Sequence, residues 1–75
     1  MDIIYSFHAK KRLKERDIKV EEVKETIDFP DYTIKRKEEI EAYKRFTNIL
    51  LKVVYIKKEN YIKIITVYPL DKNEN

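Results

Sequence analysis

The sequence predicts an α+β domain: two N-terminal helices packed on a four-stranded antiparallel meander sheet, with a short N-terminal edge strand. Three observations predict it. Up to Phe29 the apolar residues recur at helical spacing, and from Tyr32 onward they alternate with period two. The joints between the alternating runs are also short enough to be hairpins, which makes sequential strands antiparallel. Two amphipathic helices then have one apolar side each to bury against a single sheet.

Each element has a local reason. Asp2 to Tyr5 is a short apolar run suited to an edge strand. Ser6 is a good N-cap for a first helix from Phe7 to Arg16. A second helix, Val20 to Phe29, sets Val20, Val23 and Ile27 on one side and Glu21, Glu22, Lys24, Glu25 and Asp28 on the other. Pro30 ends it by forcing Phe29 out of helical geometry. Tyr32–Lys37, Glu39–Phe46, Ile49–Lys57 and Tyr61–Tyr68 read as strands, joined at Lys37–Glu39, Thr47–Asn48 and Lys58–Asn60. With no glycine in the chain, Asn48 and Asn60 are the residues best able to take positive φ at the joints. The polar tail from Asp71 to Asn75 is expected to fray, leaving an ordered core of about residues 3–70 in a single domain, 1–75.

The strand faces suggest what packs where. In Ile49–Lys57 the odd residues Ile49, Leu51, Val53 and Tyr55 form an apolar ladder suited to lie under helices. The even face mixes Leu50, Val54 and Ile56 with Lys52. In Tyr61–Tyr68 alternation puts Ile62, Ile64, Thr66 and Tyr68 on one face and Tyr61, Lys63, Ile65 and Val67 on the other. Both faces are apolar enough for these two strands to be central. Lys52 then either lays its stem along the sheet with the amine in solvent or meets a bound anion.

Composition removes several classes of function. Seventy-five residues make one domain with a modest core. Without cysteine there is neither a disulfide framework nor a thiolate metal site. One histidine and no carboxylate cluster at ligand spacing give no reason to expect a metal, and a glycine-rich phosphate loop is impossible, so no cofactor is expected. No run has the length of a membrane span or the pattern of a signal peptide, which leads to the expectation of a cytoplasmic protein with no membrane partner. The net charge of +3 is unevenly spread: residues 10–17 carry five positive and two negative charges, residues 19–31 two positive and five negative. Such a chain can present a phosphate-attracting face without being strongly basic overall.

The most pointed feature is His8, Arg12 and Arg16, set four residues apart. On a helix this spacing makes one stripe, each residue turned about 40° from the last. Ala9 and Leu13 share that half of the cylinder, and Lys10, Lys11, Lys14 and Glu15 hold the other. The histidine and both guanidiniums are therefore expected to face the body of the protein, where an arginine must find an anion. That anion is either an internal carboxylate, with Glu25, Asp28 and Asp31 the candidates, or something the protein binds.

The runs FHAKKRLKERDIKVEEVKETIDFPD and LLKVVYIKKENYIKIITVYP resemble a small bacterial and archaeal domain family of unknown function. Its members open with a His-x3-Arg-x3-Arg helix and close with a strand of the IIT-x-Y kind. The layout also resembles BrnT-type and, more distantly, RelE-type toxins, over residues 3 to 70. The toxin resemblance implies a metal-independent ribonuclease acting on RNA, in some cases at the ribosome, and silenced by a cognate antitoxin protein. It implies His8, Arg12 and Arg16 as catalytic residues, with Thr66 and Tyr68 of the last strand beside them. Lys52, Arg45 and Lys63 on the strands are the candidates for nucleic-acid contact. Unlike BrnT-type toxins, this chain follows its last strand with PLDK rather than an arginine-rich segment.

The chemistry is coherent with those residue types. Metal-free RNA cleavage needs a base for the 2′-OH proton, cations for the phosphorane and an acid for the leaving oxygen. His8 at a helix start would be the base, Arg12 and Arg16 would clamp the phosphate, and Tyr68 would donate a proton or stack on a base. The competing expectation is a non-catalytic RNA- or protein-binding module whose arginines form structural ion pairs. A homodimer built on the sheet surface is compatible with either.

Overall fold

The computed structural model describes residues 2–70. Five strands and two helices follow in the order β1 (Asp2–Tyr5), α1 (Phe7–Glu15), α2 (Val20–Asp28), β2 (Tyr32–Arg36), β3 (Glu39–Arg45), β4 (Leu50–Lys57) and β5 (Tyr61–Leu70). The sheet order is β1-β5-β4-β3-β2. From β2 to β5 it is the expected antiparallel meander. The expected four-stranded antiparallel sheet is nevertheless a five-stranded mixed one, because β1 pairs parallel to β5, Asp2 beside Tyr61 and Tyr5 beside Ile64. The frayed tail expected from Asp71 to Asn75 lies outside the described residues.

Both helices cover one face of the sheet. Leu51, Val53, Ile64 and Val67 are fully buried there, with Ala42, Tyr55 and Ile62 completing the strand side. Ala9, Ile18 and Val23 supply the helix side. This is the apolar ladder that alternation in β4 predicts, and it is the core of the domain. The two helices are short, and none of the described helices is long and apolar enough to cross a membrane.

Their ends are fixed by identifiable contacts. The Ser6 hydroxyl accepts from the Ala9 N–H at 3.0 Å, the predicted cap, and also donates to the Ile65 carbonyl at 2.8 Å. One side chain therefore starts α1 and ties it to β5. The helix ends one residue sooner than expected, at Glu15. The Ile18 N–H returns to Leu13 O and the Asp17 N–H to Lys14 O, with Asp17 at φ 56°. That is the Schellman pattern with aspartate where glycine is usual, and Ile18 packs into the core beside Leu13 to complete it. At the start of α2 the Glu22 carboxylate accepts from the Lys19 backbone N–H at 3.0 Å.

Positive φ falls at Asp17 and Lys37, not at Asn48 and Asn60. The reason is loop length. Pairing of Arg36 with Glu39 leaves only Lys37 and Glu38 to reverse the chain, and two-residue hairpins demand left-handed backbone. In the other two joints the ladder stops further back, at Arg45 with Leu50 and at Lys57 with Ile62, and the four residues between turn through Phe46 N–H to Ile49 O and Lys58 N–H to Tyr61 O without it.

A bulge in β5 corrects the predicted strand faces. Tyr55 pairs with Ile64 but Val54 pairs with Thr66, so Ile65 is an extra residue with no partner in β4. Beyond it alternation restarts one step out of phase. Ile62, Ile64, Val67 and Pro69 consequently share the helix-covered face, while Lys63, Thr66, Tyr68 and Leu70 share the open one. Thr66 and Tyr68 are on the opposite side from Ile62 and Ile64, with which simple alternation groups them.

Candidate functional site

The register aligns one residue from each of four strands across the open face. Tyr32 pairs with Tyr43, Tyr43 with Lys52, and Lys52 with Tyr68. Partners across neighbouring strands stand on the same side, so the four form a single row perpendicular to the chain direction. The Tyr32 and Tyr43 rings are stacked, 4.6 Å between centroids and 11° from parallel. The Lys52 amine lies 5.7 Å from the Tyr43 ring centre and 5.5 Å from that of Tyr68. Arg12 extends the row from α1, its guanidinium carbon 4.9 Å from the Tyr68 ring centre. Each cation is within the range at which a ring face attracts it.

Beneath this row lies a carboxylate. Glu41 is only 9% exposed, and its oxygens accept from Arg36 Nε at 3.0 Å and from the Tyr43 hydroxyl at 3.1 Å. The Lys52 amine is 3.9 Å away. A nearly buried carboxylate needs such partners, and here it fixes the Tyr43 hydroxyl and draws Lys52 down onto the sheet. Lys52 therefore does not hold its amine out in solvent. Glu41 shares its own cross-strand line with Val54 and Thr66. Thr66 is buried, and its hydroxyl oxygen has no hydrogen-bond partner.

The predicted site residues are divided by the structure. Arg12, Lys52 and Tyr68 come together, with Thr66 in the adjoining line. His8 and Arg16 do not face the body of the protein; both are exposed, and Arg12 is half-buried. The helix wheel explains the correction. Ala9 and Leu13 set the buried direction, which leaves His8 about 120° away from it. Arg16 falls past the last helical residue, with φ −104°, and no longer belongs to the stripe. It borders instead a shallow cleft with Ile18, Phe46 and Pro69. Arg45 and Lys63 are exposed on the open face, Arg45 at the end of β3 and Lys63 next to β1.

Nor do Arg12 and Arg16 pair with the acidic helix. Glu25 and Asp31 lie 3.9 and 4.0 Å from the Lys44 amine, which also donates to the Phe29 carbonyl. Asp28 faces Tyr55, whose phenol is held above its ordinary pKa by burial and then by that carboxylate. Among the described residues Arg12 and Arg16 form no ion pair. Tyr32, Tyr43, Glu41 and Arg36 were not among the predicted site residues. The expected joint at Lys37–Glu39 sets Tyr32 opposite Lys44; the tighter turn at Lys37 and Glu38 shifts the register by one residue and brings Tyr32 opposite Tyr43.

The profile of one family, described as a domain of unknown function, matches residues 5–69. The chain belongs to the DUF4258 family. No curated protein and no solved structure matches it. Nothing in these comparisons links this DUF4258 domain to BrnT- or RelE-type toxins. The matched stretch runs from the end of β1 almost to the end of β5, so it takes in both helices and every residue of the Tyr32–Arg12 row.

Proposed function

We propose that this domain binds single-stranded RNA across the open face of its sheet. The observation that carries the proposal is the row Tyr32–Tyr43–Lys52–Tyr68–Arg12, in which a stacked pair of rings is followed by a cation, a ring and a second cation that a polyanion can share. Single strands are held by such combinations, phosphates on the cations and bases on exposed ring faces. Arg12 supports this because its guanidinium is spread on Tyr68 with no carboxylate claiming its N–H donors, the arrangement that suits bidentate phosphate binding. Tyr32, on the edge strand and half exposed, offers the outer end of the stack to a base.

Binding of a labelled single-stranded RNA, followed by fluorescence anisotropy over a salt series, tests the reading. Lys52→Ala is expected to weaken binding about tenfold and to reduce the slope of log K against log salt by about one. Unchanged affinity in both Lys52→Ala and Tyr68→Ala would overturn it.

A second reading adds metal-independent cleavage, and it is supported by His8 lying one helical turn from Arg12 with its ring open to solvent. In that reaction His8 takes the 2′-OH proton and the 2′-oxygen attacks the adjacent phosphorus. The bond from phosphorus to the 5′-oxygen breaks, and Tyr68 supplies the proton to the leaving oxygen. A 2′,3′-cyclic phosphate and a free 5′-hydroxyl result. An antitoxin that silenced such a nuclease would have to cover the row. His8→Ala is expected to slow cleavage at least ~100-fold while leaving affinity intact; equal cleavage by the variant sinks this second reading alone.

A further inference from the structure

Phe7 is the most exposed large apolar side chain of the fold, at 84%, and no packing need explains it. It occupies the first residue of α1, on the side turned away from Ala9 and Leu13. One turn and two turns further on, Lys10, Lys11 and Lys14 surround it, all exposed. Lys11 shares its charge with Glu15 at 4.0 Å, and Lys10 and Lys14 form no ion pair among the described residues. An aromatic ring set among lysines is a poor surface for an apolar partner and a good one for a polyanion carrying flat bases.

The position of this patch is as informative as its chemistry. Round the axis of α1, Arg12, His8, Lys11 and Phe7 follow one another in steps of about 40 to 60°. Arg12 is the last member of the row on the sheet. The cationic surface therefore does not stop at Tyr68; it turns over the edge of β5 and continues across the outside of α1.

We infer that Phe7 is a second stacking point for a single RNA strand, which leaves the open face at Arg12 and crosses α1 over Lys11. The inference rests on the RNA reading above and extends it from a patch to a track with two aromatic ends, Tyr32 and Phe7. A strand long enough for both ends engages Phe7; a short one held on the sheet does not. Because Phe7 packs against nothing in the core, its removal costs the fold little.

The test uses the full chain and two single-stranded RNA probes, one of about four nucleotides and one of about twelve. Phe7→Ala is expected to weaken the long probe about tenfold, to leave the short probe unchanged, and to keep the wild-type melting temperature. Phe7→Trp is expected to retain affinity and to report the long probe by quenching of indole fluorescence. Equal affinity of Phe7→Ala and wild type for the long probe, while Lys52→Ala still loses affinity, overturns the inference and leaves the sheet site standing. A change in oligomeric state of Phe7→Ala without a change in RNA affinity also overturns it, assigning Phe7 to a protein contact. Failure of wild type to bind either probe removes both proposals together.

Discussion

The two faces of this sheet are built from the same strands and solve different problems. Under the helices, Leu51, Val53, Ile64 and Val67 are fully buried in one apolar cluster. On the open side, Val54 and Glu41 are almost as deeply buried with no helix above them. What covers them is their own neighbours: the stacked tyrosines, the stem of Lys52 and the Arg36 guanidinium. Burial on the first face comes from a second layer, and burial on the other from long polar side chains lying flat. The first arrangement is sealed. The second keeps its cations at the surface, where an incoming anion can take them up.

That contrast can be broken from either side. Leu51→Ala, which opens a void in the sealed layer, is expected to cost about 2–5 kcal/mol in denaturant unfolding; a loss below 1 kcal/mol would show that the layers repack and that the faces differ less than their burial indicates. Glu41→Gln should cost less, about 1–2 kcal/mol, since it weakens contacts to Arg36 and Lys52 that are partly solvated. The same substitution removes a negative charge from the row and is expected to tighten RNA binding about threefold. Weaker binding would make Glu41 part of the ligand contact instead of the support under Lys52.

Tyr5 sharpens the comparison through pH. It lies on the helix side with its hydroxyl buried and unpartnered, and burial first, then the Glu21 carboxylate, raise its phenol above 10.0. A phenol whose folded pKa is raised favours the folded state while it is protonated. Its contribution is complete below pH 10 and is lost as pH climbs through the folded value. Tyr5→Phe is therefore expected to leave stability at pH 7 equal or higher by about 1 kcal/mol, and to flatten the alkaline decline. An unchanged alkaline profile would transfer that decline to Tyr55, which is raised in the same direction. The smallest effect belongs to Arg16→Ala: the side chain is exposed and makes no ion pair among the described residues, so the melting temperature should not move. A large drop would restore the structural ion pair that the arginine stripe suggests.

Much of this architecture was readable in the chain. Ser6 and Pro30 bound the helical region, and the switch to period two at Tyr32 gave the four strands nearly to the residue. The partner of β1 was hidden, because a four-residue apolar strand carries no mark of parallel pairing to a strand some sixty positions away. The bulge was hidden too. Ile65 is a good strand residue in a run of good strand residues, and only the tie from Ser6 to its carbonyl shows why the ladder breaks there. That concealed step moved Thr66 and Tyr68 to the open face and so decided which predicted residues could meet. His8 and Arg16 failed as inward residues for simpler reasons: His8 lies about 120° from the direction that Ala9 and Leu13 bury, and the helix stops at Glu15, one residue short of Arg16.

One surplus amino acid therefore has a disproportionate role. Let Ile65 pair as an ordinary strand residue and Tyr68 turns inward against Ala9 and Leu13, Val67 turns outward, and the lysine of the central strand keeps a ring on one flank only. The row of tyrosines and cations is produced by a skipped beat in the last strand. Deleting Ile65 should thus leave Tyr68 beside Lys52, because Ile64 and Thr66 then alternate without a bulge.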